Sequence, residues 1–324
     1  MASILFLIFI FSIIISYSLI PLNIKLGRKL SILDKPDFRK EHSKPQVRLG
    51  GISIYLGLTI PILLAYCLNI VGMEMAISVK VFFIGTFLFF ALGILEDIFH
   101  LSFLTKLILQ IIFSSYFWFN GIALELLDLP IFEFIRDPNL YAILSYVTTV
   151  LWFVGIVNAI NWVDGLDGLA SGLVIISVIG FCLILKNTSQ ISFPIVLAVS
   201  IIGSNLGFIK HNFYPAKIFM GDGGSFFLGS LIAYLSISNN IFYSYEEINL
   251  SIILSKCFFV GLPLFDMAYV IISRIVQKKS PFYPDRQHFH YKVIDSGISH
   301  RGSVNICYVI SVLFILLGLY FYGI

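Results

Sequence analysis

Asn158, Asn161 and Asp164 stand three residues apart in the run Asn158-Ala-Ile-Asn-Trp-Val-Asp-Gly-Leu-Asp167-Gly. Residues at that spacing share one face of a helix. Amide and carboxylate oxygens on such a face suit a hard divalent cation such as Mg²⁺, which keeps several waters and takes few carboxylates. Asp222 lies in Phe219-Met-Gly-Asp-Gly-Gly-Ser225 at the start of an apolar run. A Gly-flanked acid there can hold a metal while neighbouring N–H groups face phosphate. Two adjacent acids, Glu96 and Asp97, close another apolar run. The helix dipole disfavours negative charge at that end, so the pair must be solvated, paired or cation-bound. Lys106 follows, able to neutralise it or to bind a phosphate. In Pro284-Asp-Arg-Gln-His-Phe-His290, Arg286, His288 and His290 can grip a nucleotide diphosphate or a sugar. The two histidines can also be read as zinc ligands, but no Cys lies in any of these loops. His42, Lys44 and Arg48 precede Gly50-Gly51, whose backbone N–H groups can approach an anion. Each segment alone has a plainer reading as an Asx cap, a turn, a solvated helix end or a basic lipid anchor.

The elements that carry these residues follow from composition. Of 324 residues, 58% are hydrophobic and 12% charged, about half the ~25% charge of a soluble domain. Mean hydropathy is +0.95. A soluble globule lacks the polar surface it would need, and disorder conflicts with so apolar a chain at net charge +3. A nucleic-acid partner is not expected, because 21 basic residues are spread through apolar sequence. Runs long enough to cross a bilayer fall at 3–22, 50–70, 79–95, 102–119, 141–160, 168–185, 190–209, 224–241, 250–273 and 304–323. Lipid requires internally satisfied backbone, so the expected fold is all-α and polytopic, with about ten transmembrane helices in one domain spanning residues 1–324. The first run has no basic residue before it and is too long for a cleaved signal peptide.

Every Lys and Arg except Lys80, Arg136, Lys186 and Lys256 falls in an odd-numbered loop. Those loops are therefore expected on the cytoplasmic side, with both termini outside. All six histidines share the same loops, which points to a site at the cytoplasmic membrane boundary. A transporter would instead place ionisable groups near the midplane. Only Asp266 sits inside a span, where it reads either as a functional acid or as a helix-to-helix hydrogen bond.

Taken together, from Asp34 to Arg301, the loops resemble the polyprenyl-phosphate N-acetylhexosamine-1-phosphate transferase superfamily. The Asn158–Gly168, Phe219–Ser225 and Ser280–His290 segments carry the resemblance. The last of these is similar to the undecaprenyl-phosphate GlcNAc-1-phosphate transferases; the phospho-MurNAc-pentapeptide branch typically has three consecutive histidines there. The resemblance implies transfer of an N-acetylhexosamine-1-phosphate from a UDP-sugar to undecaprenyl phosphate in a bacterial plasma membrane, with release of UMP. It implies Mg²⁺, with Mn²⁺ as a substitute, held by Asn161 and Asp222. Asp97, with Glu96, would deprotonate or position the lipid phosphate, and Lys106 would contact phosphate. Asp164 and Asp167 would line the uridine or diphosphate site. Arg286, His288 and His290 would contact diphosphate and sugar, and His42, Lys44 and Arg48 would complete the phosphate-facing wall. A homodimer is compatible with the sequence. Two departures stand out. Glu96 replaces the first of two usual aspartates, and Tyr291 stands where the branch often has a histidine.

Overall fold

A computed structural model describes residues 2–36, 44–68, 76–124, 132, 135, 137–185, 192–241, 250–282 and 285–324. The helices are α1 (Ala2–Lys29), α2 (Gly50–Cys67), α3 (Ala76–Phe99), α4 (Phe103–Phe119), α5 (Pro138–Val163), α6 (Leu169–Ile184), α7 (Phe193–Asn212), α8 (Gly221–Ile241), α9 (Leu250–Phe259), α10 (Gly261–Val276), α11 (Phe289–Asp295) and α12 (His300–Tyr322). A two-residue antiparallel ladder, β1 (Leu33–Asp34) with β2 (Gln46–Val47), joins α1 to α2. His42 lies outside the described residues, as do Glu74, Glu125 and most of the other acids of the even-numbered loops.

Helices occupy all ten expected positions, and the bilayer explains why. Backbone groups in lipid can only be satisfied along the helix, and large apolar side chains cover the outside. Phe6, Phe11, Ile14, Val309, Leu313 and Leu316 are all exposed on α1 and α12. The all-α polytopic expectation is met, with a lower count by length and composition. Six described helices are long and apolar enough to cross a membrane, and α4 and α6 are shorter. The expected ninth span is broken: α9 and α10 meet at an 84° bend around Val260. After the bend, α10 packs against α5 and α12, and its Phe265, Ile272 and Ile275 remain exposed.

Helix α8 is the axis of the bundle. From Phe226 to Leu235 its apolar side chains are all buried, packed against α3 and α5. Tyr234 meets Phe82 and Phe117. Association in lipid gains little from the hydrophobic effect and depends on close approach of small residues. The seam of α1 with α2 and α7 shows this, since Ser12 and Ser16 seat against Gly57, Gly203 and Gly207.

The closest approach lies at the start of α8. Gly221 has φ +72°, and a Cβ there would overlap the Arg48 carbonyl. A Cβ on Gly93 of α3 would overlap the Asp222 carbonyl. Gly93→Ala should therefore cost about 1–3 kcal/mol by overpacking a backbone joint. Thermal unfolding in detergent measures it; a wild-type unfolding temperature would show that the joint has room.

Candidate active site

Arg48 leaves β2 just before α2 and reaches into the bundle end. Its Nε lies 3.1 Å from Asp97 Oδ1, its Nη2 2.9 Å from Asp222 Oδ1, and its Nη1 3.7 Å from Asp34 Oδ1. Burial opposes its charge, but Asp97, Asp222, Asp34 and Asp164 outweigh that and hold the guanidinium protonated. Asp97 is fully enclosed. Its two oxygens accept from the backbone N–H groups of Asp222 and Gly223, each at 3.0 Å. It thus caps α8 from a neighbouring helix, fixing the direction of the Asp222 side chain.

The Gly50-Gly51 pair has a different job from anion binding. Gly50 N–H donates to Phe219 O at 2.9 Å and Gly51 N–H to Met220 O at 2.8 Å. These amides tie α2 to the Phe219–Gly221 segment and are not available to phosphate.

On α5, Asn161 Nδ2 donates to Asp222 Oδ1 (3.2 Å) and to Ser225 Oγ (2.9 Å). The two expected metal ligands are therefore brought together. Asn158, one turn earlier, is bound to Gln110 at 2.7 Å and belongs to a neighbouring cleft. Asp164 caps α5; burial first, then Asp222, pushes its carboxyl well above the usual range despite Arg48. Asp167 Oδ2 accepts from Ala216 N–H at 2.8 Å, and the Asp167 N–H donates to His300 Nε2 at 3.1 Å. Asn212 receives Gly168 N–H and donates to Ile218 O, locking the turn between α5 and α6 onto the segment that leads to α8.

Two cavities meet here. The first, about 240 Å³, is polar and lined by Asp34, Arg48, Asp164, Asp167, Asn212 and His300, among others. The second, about 370 Å³, is a cleft between α4, α5 and the end of α10. Phe103, Leu107, Phe226 and Phe282 give it an apolar side, and Lys106, Arg274 and His288 give it a basic one. Phe103 and Phe282 stack at 3.8 Å between ring centroids. Asn161, Asp164, Gly165 and Tyr291 line both spaces.

The remaining expected residues divide. Lys106 is bonded to Glu96 at 3.0 Å, on the cleft wall. His288 lines the cleft, with its Nδ1 held by Asp266 at 2.7 Å. Arg286 lines neither space; it pairs with Asp295 at 3.1 Å and covers the ring of Tyr291, which lines both. Lys44 is exposed and lines neither. His290, expected on the diphosphate or sugar, is instead buried behind Gly165 and Tyr291. Burial, then His288, lowers its pKa to about 3, so it stays neutral and supplies no charge to an anion.

Sequence reasoning missed Tyr291 and Asn212 as lining residues, His300 as the acceptor for Asp167, and Asp34 as a partner of Arg48. It left Asp266 between two readings. The usable signals were the Tyr291 departure and the intramembrane acid.

Among the described residues, no three His, Cys, Asp or Glu side chains converge to hold a metal ion by themselves. Mg²⁺ does not need such a cage, since it binds through one or two carboxylates and substrate phosphates. Three carboxylates around one arginine leave a charge deficit that a divalent cation fits.

The family model of glycosyl transferase family 4 matches residues 79–240. The chain is also 35% identical, over 94% of its length and 82% of the relative's, to a probable undecaprenyl-phosphate N-acetylglucosaminyl 1-phosphate transferase of Bacillus subtilis. The chain belongs to glycosyl transferase family 4. Other relatives include the undecaprenyl-phosphate alpha-N-acetylglucosaminyl 1-phosphate transferases of Thermotoga maritima, 33% identical over 94% of this chain and 87% of that one, and of Escherichia coli K12, 27% identical over 86% and 73%. The 79–240 match takes in Asp97, Lys106, Asn161, Asp164, Asp167 and Asp222. In this family 4 chain, Arg48 and the whole His288 loop come from outside the matched segment.

Two outcomes test the geometry. Asp97→Asn offers one acceptor to two backbone amides and should cost about 1–3 kcal/mol of stability. An unchanged unfolding temperature would remove Asp97 from the joint. For His290 the sign is fixed by its depressed pKa. Between about 6.5, the ordinary value, and about 3, the unfolded chain binds a proton that the folded one refuses. Stability should fall as pH drops through that window. His290→Gln should flatten that slope in unfolding temperatures read against pH; an unchanged slope would place the effect elsewhere.

Proposed function

We propose that the protein transfers N-acetylglucosamine-1-phosphate from UDP-N-acetylglucosamine to undecaprenyl phosphate at the cytoplasmic face of a bacterial plasma membrane. The observation that carries this reading is the meeting of the two cavities at Asn161, Asp164, Gly165 and Tyr291. A polar space beside Arg48 suits a sugar nucleotide. A cleft with an apolar side and a Lys106–Arg274–His288 rim suits a phosphate on a long hydrocarbon. The names of the relatives support both substrates: they describe transferases of N-acetylglucosaminyl 1-phosphate acting on undecaprenyl phosphate. The basic residues of the odd loops support the cytoplasmic side.

In the reaction, an oxygen of the lipid phosphate attacks the β-phosphorus of the UDP-sugar. The bond from that phosphorus to the bridging oxygen breaks, and UMP leaves with the bridging oxygen. A phosphate monoester has a second pKa near ~6 and is mostly dianionic at neutral pH. The nucleophile therefore arrives ionised and asks for position and charge neutralisation rather than for a base. That agrees with Asp97 being spent on two backbone amides. Arg48 keeps Asp222 oriented, Asn161 fixes it from α5, and Lys106 and His288 face the lipid phosphate. Asp222 and Asn161 would hold Mg²⁺, or Mn²⁺, which supplies neutralisation of the diphosphate. For Asn161 to take part, its amide must present Oδ1 where Nδ2 now faces Asp222.

Purified protein given undecaprenyl phosphate and a panel of UDP-sugars should release UMP fastest with UDP-N-acetylglucosamine. Preference for UDP-MurNAc-pentapeptide or another aminosugar would overturn the sugar assignment, and silence with every donor would overturn the reaction. EDTA should stop turnover and Mg²⁺ or Mn²⁺ restore it. Asp222→Asn should lower UMP release by at least ~10²-fold while the protein stays folded; near wild-type turnover would remove Asp222 from the cation site. Light scattering on the same preparation separates a monomer from a homodimer.

A further inference from the structure

Asp266 lies on α10, after the bend, and its side chain is 2% exposed. An acid in that position costs free energy unless its oxygens are fully used. Both are: Oδ1 accepts from the backbone N–H of Phe289 and Oδ2 bonds His288 Nδ1, each at 2.7 Å. The carboxylate therefore holds both the ring and the backbone of one loop. Trp162 of α5 meets the His288 ring edge-on at 5.6 Å, and the His290 ring stacks at 5.5 Å. The imidazole can neither flip nor tilt without breaking one of these contacts.

A carboxylate accepts hydrogen bonds and does not donate them, so His288 Nδ1 carries a proton. That leaves Nε2 as the ring atom for chemistry, in a side chain that lines the cleft. We propose that Asp266 is a positioning residue for transfer: it holds the proton on Nδ1 and fixes the plane of His288 so that the Nε2 edge is presented to a phosphate-bearing substrate in the cleft. The proposal rests on the transferase reading given above.

Other charged and titratable groups surround the dyad. They are Arg274 and Tyr269 on α10, Asp285 and Arg286 in the last loop, and His290 and Tyr291 on α11. Lys106 on α4, Asp164 on α5 and Cys307 on α12 complete the set. Arg274 is bound to Asp285 through two nitrogens, at 2.9 and 3.1 Å. Asp266 is the one acid among them bonded to the His288 ring.

Asp266→Asn separates positioning from packing. Its single carbonyl stays on Phe289 N–H, and its NH₂ then faces Nδ1, which must become an acceptor; the proton moves to Nε2. The kcat for UMP release should fall at least ~10²-fold, in line with tautomer-swapping changes at carboxylate–histidine pairs, with KM for the UDP-sugar within about 3-fold. Nitrogen-15 shifts of labelled histidine should report an Nδ1–H ring in the wild type and an Nε2–H ring in the variant. In a His288→Gln background, Asp266→Asn should add less than about 3-fold. Asp266→Glu keeps an acceptor for the Nδ1 proton and should keep most of the activity that Asp266→Asn loses. A kcat within 3-fold of wild type for Asp266→Asn, an equal loss in both backgrounds, or Asp266→Glu losing as much as Asp266→Asn would each overturn the proposal. If Asp266→Asn does not fold, nitrogen-15 shifts of the wild type and of Asp266→Glu carry the test, and an Nε2–H ring in either would overturn it. Wild-type protein silent with every UDP-sugar would instead fail the transferase reading, while the nitrogen shifts would still decide the tautomer.

Discussion

One guanidinium shared by three carboxylates organises this protein. Arg48 touches Asp34 in the β1 segment, Asp97 at the end of α3 and Asp222 at the start of α8, so it ties the β1–β2 ladder to two helices far away in sequence. None of those contacts would survive alone in a partly buried place. Removing one member leaves another charge uncompensated, a change that costs far more than the pair contributes when intact. Asp97 extends the network into the backbone by capping α8, and α8 is the axis against which α3 and α5 pack. Stability of the bundle end and orientation of Asp222 are thus the same problem, solved by one set of bonds.

The network is short of positive charge, and the substrates proposed for it are polyanions. A site that is itself acidic should repel a diphosphate. The resolution is spatial. The acids around Arg48 cluster where a divalent cation would stand between them and the phosphates, while Lys106, Arg274 and His288 line the other cavity, each already bonded to an acid that holds it in place. The membrane imposes the rest. Groups this polar cannot sit among lipid-facing side chains, so they gather at one end of the bundle, and helices that reach that end carry them as caps or terminal turns. Beyond the break between α9 and α10, Asp266 and Arg274 both hold the last loop, through His288, Phe289 and Asp285.

Much of this was legible in the sequence. Hydropathy alone placed a helix at each of the ten apolar runs, because lipid permits little else, and the three-residue spacing put Asn158 and Asn161 on α5 with Asp164 as its C-cap. What it could not show was direction of contact. Asn158 and Asn161 share a face yet have different partners, one bound to Gln110 and one to Asp222, and only Asn161 also lines the polar cavity. Gly50-Gly51 looked like an anion cradle because glycines admit any close approach; the approach turned out to be the Phe219–Met220 backbone. His290 has the composition of a phosphate ligand and the position of a core residue. Asp266 was the reverse, an apolar-span acid whose partner lies 22 residues on, beyond the reach of any local pattern. The bend between α9 and α10 left no mark on hydropathy, since both halves are apolar enough to read as one span.

The placement of Asp97 bears on how the chemistry can run. A base must have a lone pair aimed at the proton it takes. Both oxygens of Asp97 face backbone amides, one of them faces Arg48 as well, and no surface of the side chain is open to either cavity. To act as a base it would have to release the α8 N-terminus, which would also release Asp222. The neighbouring Glu96 differs: Oε1 is bonded to Lys106, while Oε2 is buried without a hydrogen-bond partner. The longer acid at that position is tolerable on this account, because its partner is a flexible lysine rather than a fixed pair of amides. With the attacking oxygen already ionised, the acids of this end of the bundle are free to do what the geometry shows them doing: fixing one carboxylate, Asp222, and one ring, His288, on opposite sides of the place where the two cavities meet.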